Sequence, residues 1–426
     1  MSRQIQVKNT VIGDGRAKIC VPITGRLKKD IISQAREIVA SGAEIIEWRV
    51  DYFEYIDYPS VLGLLSQISE IARDVPLIFT FRTKKEGGYR EISDDDYFHL
   101  LNAAAATGNA DFIDIEAMSR PTVADKMLRS LGYRKTRVIF SYHNFYSTPS
   151  FDNILSIFKS MRDRGGDICK IAVTPENKRD VDTLILASEK FARISNVPLI
   201  SISMKDEGAV SRIAWKTTGS AITFASAAGQ SAPGQLDISK MKEVSDNLNS
   251  LDKGTRIALV GFMGTGKTTV SRALKYVTGF DEVDTDKFIT ESENKSVAKI
   301  FDEIGEEGFR DLETAALKKL AGGKGRIISC GGGIVLRDEN IEIMKESCVT
   351  VLLTASAETV FERVRHSKSR PLLNGEMNTR HIAGMMKERD ERYKKAADIT
   401  VKTDGRSVCD ICIEIIDAVC RYTKKS

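Results

Sequence analysis

The sequence predicts an α/β protein of two consecutive domains. A closed (β/α)8 TIM barrel is expected over residues 1–250, and a P-loop domain with a five-stranded parallel sheet over residues 251–426. Three observations carry this expectation. The chain has 426 residues, too many for one compact core. Its first 250 residues alternate short β-rich runs with helix-like segments eight times, the size and rhythm of a β/α barrel. A second α/β pattern then begins at an apolar strand that leads straight into GFMGTGKTT (261–269).

The barrel strands are expected at KICVPIT (18–24), EIIEWRVD (44–51), PLIFTFRT (76–83), DFIDIE (111–116), RVIFSYHN (137–144), DICKIAV (167–173), PLISISM (198–204) and AITFAS (221–226). These short runs favour β-branched and aromatic residues. LKKDIISQAREIVA (27–40) and FDNILSIFKSMRDR (151–164) are typical of the helices between them. ISKMKEVSDNLNSLDKG (238–254) reads as a last helix and a short polar linker. The later strands are expected at TRIALVGF (255–262), EVDTD (282–286), RIISCGG (326–332), VTVLLTA (349–355) and DITVKTD (398–404). With helices between them, they suit a doubly wound parallel sheet.

Composition excludes some partners. Net charge is +4 with 29% charged residues, which gives no reason to expect nucleic acid or a membrane surface. The start, MSRQIQVKNTVIGDG, lacks an apolar signal core. No apolar run approaches the about 18 residues that span a bilayer. Seven scattered cysteines, an odd number, argue for free thiols in a reducing compartment. The expected location is the cytoplasm. CDIC (409–412) lies in an amphipathic terminal segment, where Cys409 and Cys412 read as packing residues.

Side chains alternate between the interior and the outer helices along a barrel strand. If Lys170 points inward in DICKIAV, Ile168 and Ala172 do too. The same parity puts His143 inside in RVIFSYHN, Glu47, Arg49 and Asp51 in EIIEWRVD, and Thr80 and Arg82 in PLIFTFRT. Four strands thus aim titratable groups at one axis. A lone inward charge is often only a paired interior ion; this many together imply chemistry. A desolvated lysine beside other cations gives up its proton more readily, and its free amine can attack a ketone to form a Schiff base. The iminium then eases proton removal at the adjacent carbon. His143 suits that acid/base step, and the arginines suit an anionic substrate. An aldolase and a dehydratase both satisfy this pattern.

GFMGTGKTT matches G-x-x-x-x-G-K-[ST] between a strand and a helix, the context a phosphate loop needs. Gly261, Gly264, Thr265, Gly266 and Thr269 belong to the nucleotide-binding loop. Its backbone N–H groups and the helix N-terminus hold phosphate oxygens. Lys267 is expected to reach the β- and γ-phosphates of ATP, and Thr268 to ligate Mg²⁺. In EVDTDKF (282–288), Asp284 and Asp286 are expected on one side of a strand end, one assisting the metal and one accepting a hydroxyl proton. Gly331, Gly332 and Gly333 permit close backbone approach to a ligand. Arg370, before Pro in a polar stretch, is placed to close over a transferring phosphate.

EWRVD (47–51), FRTKKEGG (81–88), SYHNF (141–145), the Lys170 strand, SMKDEGAVSR (203–212) and SAPGQ (231–235) together resemble type I 3-dehydroquinate dehydratase. The resemblance spans about residues 15–245. It implies that Lys170 forms the imine with 3-dehydroquinate, and that His143, oriented by Glu86, removes the C2 proton and helps water leave. It implies carboxylate binding by Arg212. It assigns Glu47, Arg49, Arg82, Ser231 and Gln235 to hydroxyls and site order, with Met204 and Phe224 as an apolar wall. It implies no prosthetic group, since the Schiff base forms on the substrate itself.

GEEGFRDLE (305–313), SCGGG (329–333), SRPLL (369–373) and ERDERYKKAAD (388–398), taken with the P-loop and EVDTDKF, resemble shikimate kinase over roughly residues 255–420. This implies ATP and Mg²⁺, with Asp284 supporting the metal through its shell and Asp286 binding shikimate hydroxyls as the base. Arg310 and Arg389 are implied to pair with the substrate carboxylate, the three glycines to line its floor, and Arg370 to belong to a mobile lid. RDERY adds Arg392 as a further positive charge beside Arg389.

The expected function is a bifunctional shikimate-pathway enzyme acting on small molecules: 3-dehydroquinate, shikimate and ATP. A homodimer through the barrel domain is compatible with it. The alternative is a class I aldolase-like barrel fused to a gluconate-type kinase. FRTKKEGG and SAPGQ argue against the aldolase, and Asp286 with Arg310 and Arg389 argues for a cyclic carboxylate acceptor. A reading in which one domain only binds or regulates leaves the full set of catalytic residue types in both domains without a purpose.

Overall fold

The computed structural model describes residues 3–132, 135–227, 234–365 and 378–424. It divides into two compact units, Met1–Ser245 and Asp246–Ser426.

The first unit opens with a hairpin, β1 (Ile5–Val7) and β2 (Thr10–Ile12). Eight parallel strands follow: β3 (Lys18–Ile23), β4 (Ile45–Arg49), β5 (Leu77–Thr80), β6 (Phe112–Ile115), β7 (Arg137–Asn144), β8 (Ile168–Val173), β9 (Leu199–Ser203) and β10 (Ile222–Phe224). β10 pairs with β3, and the Ala221 N–H donates to the Leu199 carbonyl at 2.8 Å, which brings the two ends of the sheet together. The result is a TIM-like barrel.

Alternation sets its interior. Cys20, Ile45, Ile78, Phe112, Ile139, Ile168, Ile200 and Ile222, one from each strand, form a single aliphatic and aromatic cluster. Ile5 and Ile12 of the hairpin join it. One pleat further along come Glu47, Thr80, Asp114, Ser141 and Lys170, all buried. Alternate positions such as Trp48, Phe79 and Phe140 are fully buried outside that cluster, against the helices. An apolar layer thus closes the N-terminal side of the barrel and a polar layer lies toward its C-terminal side, where barrel enzymes keep their chemistry.

The second unit is a five-stranded parallel sheet of β11 (Arg256–Val260), β12 (Asp281–Asp284), β13 (Arg326–Ser329), β14 (Val349–Thr354) and β15 (Ile399–Lys402), in the order β12-β13-β11-β14-β15. β11 is where the strand order reverses, the place at which doubly wound sheets bind ligands. Helix α1 (Lys267–Thr278) leaves the loop after β11. Helices α2 (Thr285–Glu293) and α3 (Val297–Ala321) follow β12, and α4 (Thr379–Ala396) precedes β15. All seven cysteines are free and buried, with Cys409 and Cys412 in the core-facing side of the helix Val408–Thr423. Among the described residues no helix is long and apolar enough to cross a membrane.

Two features differ from the sequence expectation. The N-terminal hairpin was not anticipated, because three-residue strands are too short to show a period. β12 stops at Asp284, so Asp286 is not on a strand end beside it; Asp286 sits in the first turn of α2, and Asp284 caps that helix.

Candidate active sites

In the barrel, Lys170 is 5% exposed, and its Nζ lies 3.4 Å from both Glu47 Oε1 and Asp114 Oδ2. Each contact is worth on the order of 5 kcal/mol at an effective dielectric of about 20. That is comparable to the several kcal/mol that desolvating the ammonium costs. The Phe224 ring stands 4.5 Å away on the apolar side, and Met204 packs on the interior cluster. The nearest charged neighbours are therefore carboxylates, not the cations the sequence suggested. They come from strands on other sides of the barrel, and they offer acceptors for the proton the amine must lose.

His143 lies on β7 next to the Lys170 strand; Ser141 is in register with Lys170 and His143 with Ala172. Its backbone N–H donates to Glu86 Oε2 at 3.0 Å, and its ring Nδ1 lies 3.0 Å from the same oxygen. Glu86 sits in the single helical turn Lys84–Glu86 after β5. Burial pushes its carboxyl up to about 7, although Arg82 and the Ser119 hydroxyl pull it down. Burial, with the cations Arg82, Lys170 and Arg49, holds His143 well below the usual imidazole range. The ring is thus held neutral, and in the tautomer whose Nδ1–H donates to Glu86 the Nε2 lone pair is left to accept a proton.

Arg82 is the hub of the polar layer. Its guanidinium meets Asp114 at 2.7 Å, Glu116 at 3.3 Å, Glu86 at 3.6 Å and the Ser141 hydroxyl at 2.9 Å. Arg49 is clamped by both oxygens of Asp51 at 2.8 Å and lies 4.9 Å from the Tyr52 ring. Thr80 donates to Glu47 at 3.0 Å. Arg212 is buried in the short helix Ala209–Ile213, whose position is fixed by Thr223 Oγ1 donating to the Arg212 carbonyl at 2.7 Å. Gln235 is half-buried. Ser231 lies outside the described residues.

Asp114, Glu116, Ser141 and Ser119 were missed from sequence. Asp114 accepts from Ser141 at 2.6 Å as well as from Arg82. Burial opposes its ionisation, but Arg82 and Lys170 outweigh that and hold its carboxyl below the usual range. Parity in DFIDIE, with Phe112 inside, places Asp114 and Glu116 inside by the rule already used on four other strands.

In the second unit, the loop Gly261–Gly266 joins β11 to α1. Gly266, at the junction of the loop with α1, has φ +100°, a conformation that a side chain disfavours. Lys267 Nζ donates to the carbonyls of Gly261 at 2.7 Å and Phe262 at 3.1 Å. Thr265 is buried, and its hydroxyl donates to the Phe262 carbonyl at 2.8 Å. Thr269 follows in the first turn of α1, and the Arg363 guanidinium braces the Gly264 carbonyl at 3.2 Å. Thr268 Oγ1 lies 3.5 Å from Asp284 Oδ2, which also accepts from Ser329 at 3.2 Å. A hydroxyl and a carboxylate meeting at a phosphate loop form an oxygen-only donor pair, which suits Mg²⁺.

Across from that loop, Gly331, Gly332 and Gly333 follow β13. A Cβ on Gly331 would fall 2.4 Å from Asp286 Oδ1 and 2.9 Å from Glu313 Oε1; one on Gly333 would fall 2.2 Å from Arg310 Nη1. The glycines therefore leave room for a carboxylate and a guanidinium at the floor of the site. Arg310 is buried and paired with Glu313, and with Glu306 at 3.0 Å. Glu313, itself buried, escaped the sequence reading. Arg389 reaches the Gly332 carbonyl at 3.4 Å, and Tyr393 donates to that carbonyl at 2.6 Å. Arg392 is committed elsewhere, to the carbonyls of Val335 at 2.8 Å and Leu336 at 2.7 Å, so it braces the floor from outside. Arg370 lies outside the described residues.

Gly331→Ala tests this arrangement. The methyl's nearest neighbours are the carboxyl ends of Asp286 and of the buried, Arg310-paired Glu313, both of which must shift, so the melting temperature should fall modestly. A 1 Å or so displacement of a reacting carboxylate costs on the order of a hundredfold in rate. Phosphoryl transfer from a nucleotide on the loop should fall by about that factor; an unchanged rate would remove Asp286 from the chemistry.

Comparisons with known proteins agree with this geometry. The family model for type I 3-dehydroquinase matches residues 19–252, and that for shikimate kinase matches residues 263–420. The 3-dehydroquinate dehydratase of Clostridioides difficile is 41% identical over 255 residues, 59% of this chain and 99% of that protein. The one from Klebsiella pneumoniae strain 342 is 41% identical over 254 residues, 58% of this chain and 100% of that protein. A crystal structure of the Clostridium difficile type I enzyme with covalent modified comenic acid is similar at TM-score 0.57 and 40% identity, covering 59% of this chain and 100% of that one. The chain belongs to the type I 3-dehydroquinase family and carries a shikimate kinase domain C-terminal to it, which makes it a bifunctional shikimate-pathway enzyme, a 3-dehydroquinate dehydratase and a shikimate kinase in one polypeptide.

Proposed function

We propose that the dehydratase works through a Schiff base on Lys170. The amine, its proton passed to the Glu47 or Asp114 side, attacks the ketone carbon of 3-dehydroquinate, and water leaves to give an iminium. His143 Nε2 takes the C2 proton, and the electron pair moves into the C–N system as an enamine. The pair then returns and expels the C1 hydroxyl, which takes the proton from His143 and leaves as water. A second water hydrolyses the iminium, releases 3-dehydroshikimate and restores Lys170. Arg212 holds the substrate carboxylate, Glu47, Arg49, Arg82, Ser231 and Gln235 hold its hydroxyls and order the site, and Met204 and Phe224 wall it. The observation that carries this reading is Lys170 enclosed at 5% exposure with a Glu86-backed imidazole on the adjacent strand.

In the second unit, Thr268 and Asp284 would hold Mg²⁺, and Lys267 with the loop N–H groups of Gly261, Gly264, Thr265, Gly266 and Thr269 would hold ATP. When bound, MgATP supplies the phosphoryl group. Asp286 binds the shikimate hydroxyls and takes the proton of the attacking one. Arg310 and Arg389 hold the shikimate carboxylate over the floor of Gly331, Gly332 and Gly333, and Arg370 closes over the transferring group.

Incubating the purified chain with 3-dehydroquinate, and separately with shikimate, ATP and Mg²⁺, is expected to give 3-dehydroshikimate by its enone absorbance and shikimate 3-phosphate with ADP. Silence in either assay removes the proposal for that unit.

A further inference from the structure

We propose that Ser119 is a positioning residue for the dehydratase base: its hydroxyl holds the Glu86 carboxylate in register with His143. This rests on the Schiff-base reading above, in which His143 is the base.

The hydroxyl is aimed by the chain around it. Ser119 lies in the turn EAMSR that follows β6. The Arg120 N–H donates to the Glu116 carbonyl at 2.9 Å and closes that turn. The Arg120 side chain then pins it: the guanidinium pairs with Asp94, donates to the Ile92 carbonyl at 2.9 Å and lies 5.0 Å from the Tyr97 ring. Held there, Ser119 Oγ lies 2.6 Å from Glu86 Oε1 and 3.5 Å from the Glu116 carbonyl, so its one proton goes to Glu86. Glu116 fixes the other side of the contact. It accepts from Thr83 N and Thr83 Oγ1, both at 2.7 Å, at the start of the turn that carries Glu86.

The two oxygens of Glu86 therefore have separate tasks. Oε1 takes the Ser119 proton, while Oε2 takes the His143 backbone N–H and faces Nδ1. Arg82 at 3.6 Å supports the carboxylate; Glu116, just after β6, and Asp114, on it, oppose its charge. Without the serine hydroxyl, a carboxyl already pushed up by burial is pushed further. A protonated Glu86 gives its hydrogen to His143 Nδ1. The ring then carries its own proton on Nε2 and has no lone pair facing the substrate.

The test is the pH profile of dehydration for Ser119→Ala. One lost hydrogen bond to a carboxylate, at about 1.4 kcal/mol, moves the acid limb of kcat/KM up by about one pH unit. On that limb activity falls about tenfold, and at alkaline pH most of it returns. KM for 3-dehydroquinate stays within about twofold, because no substrate contact is removed. Ser119→Thr keeps the hydroxyl and restores the wild-type limb. An acid limb unmoved in Ser119→Ala, a loss equal at all pH values, or a threonine variant no better than alanine would each overturn the proposal. Borohydride trapping separates this claim from the one beneath it. An adduct on Lys170 in wild type with an unmoved limb in the variant refutes only the role of Ser119. Absence of the adduct in wild type refutes the Schiff-base reading itself.

Discussion

With Lys170 replaced by alanine, dehydration of 3-dehydroquinate is expected to fall by at least about a thousandfold, because the covalent step and the electron sink it creates vanish together. Shikimate phosphorylation should persist. Activity loss alone is a weak test at this position. The substitution also removes the cation between Glu47 and Asp114, and breaking a buried ion pair costs about 3–5 kcal/mol. The decisive measurement uses the unaltered chain. Borohydride added during turnover should reduce the iminium to a stable secondary amine, so that the peptide containing Lys170 gains the mass of the bound ketone plus two hydrogens less one water. The label should be absent without substrate and should block later turnover. A label on another lysine, such as the buried Lys18 that pairs with Asp14 at 2.6 Å, would move the chemistry out of the polar layer.

The amine was legible in the sequence because strand alternation is a local rule. With Lys170 taken as inward, Ile168 and Ala172 have to be inward too, and the interior cluster contains both. The same reasoning held for Glu47, Arg82 and His143. What it could not supply was the identity of neighbours across the barrel. Glu47 precedes Lys170 by 123 positions, and no pattern in either strand announces their meeting. The expectation of a cationic setting for Lys170 failed on that point. Asp114 is a different case, since alternation from the inward Phe112 already places it inside the barrel. Ser119 was beyond reach: its value depends on a turn after β6 meeting a turn after β5. In the second unit the phosphate loop was legible because its glycines, Lys267 and Thr268 are consecutive. The Asp284–Asp286 pair was misplaced because strand parity was extended past the strand. Asp284 instead accepts from the N–H groups of Asp286 at 3.1 Å and Lys287 at 3.3 Å, as an N-cap does.

Lys267→Ala should separate the two activities in the opposite sense. In this structure its ammonium rests on two loop carbonyls, those of Gly261 and Phe262, and is only half-buried. Truncation leaves those carbonyls to water, so the stability cost should be about 1 kcal/mol. The functional cost is far larger. A fixed cation that meets the charge spread over a transferring phosphoryl group is worth on the order of a hundred- to a thousandfold. Lys267→Ala should therefore lose shikimate phosphorylation by that factor while dehydration stays within about twofold of wild type, because the residues proposed for dehydration all belong to the first unit. Lys267→Arg keeps the charge but not the compact ammonium, and should recover only a small part of the rate. The pattern across both assays carries the argument. A parallel loss of dehydration and phosphorylation in Lys267→Ala, with a lowered melting temperature, would mean that this lysine supports the fold of the chain and that its place at the start of α1 says nothing about phosphate.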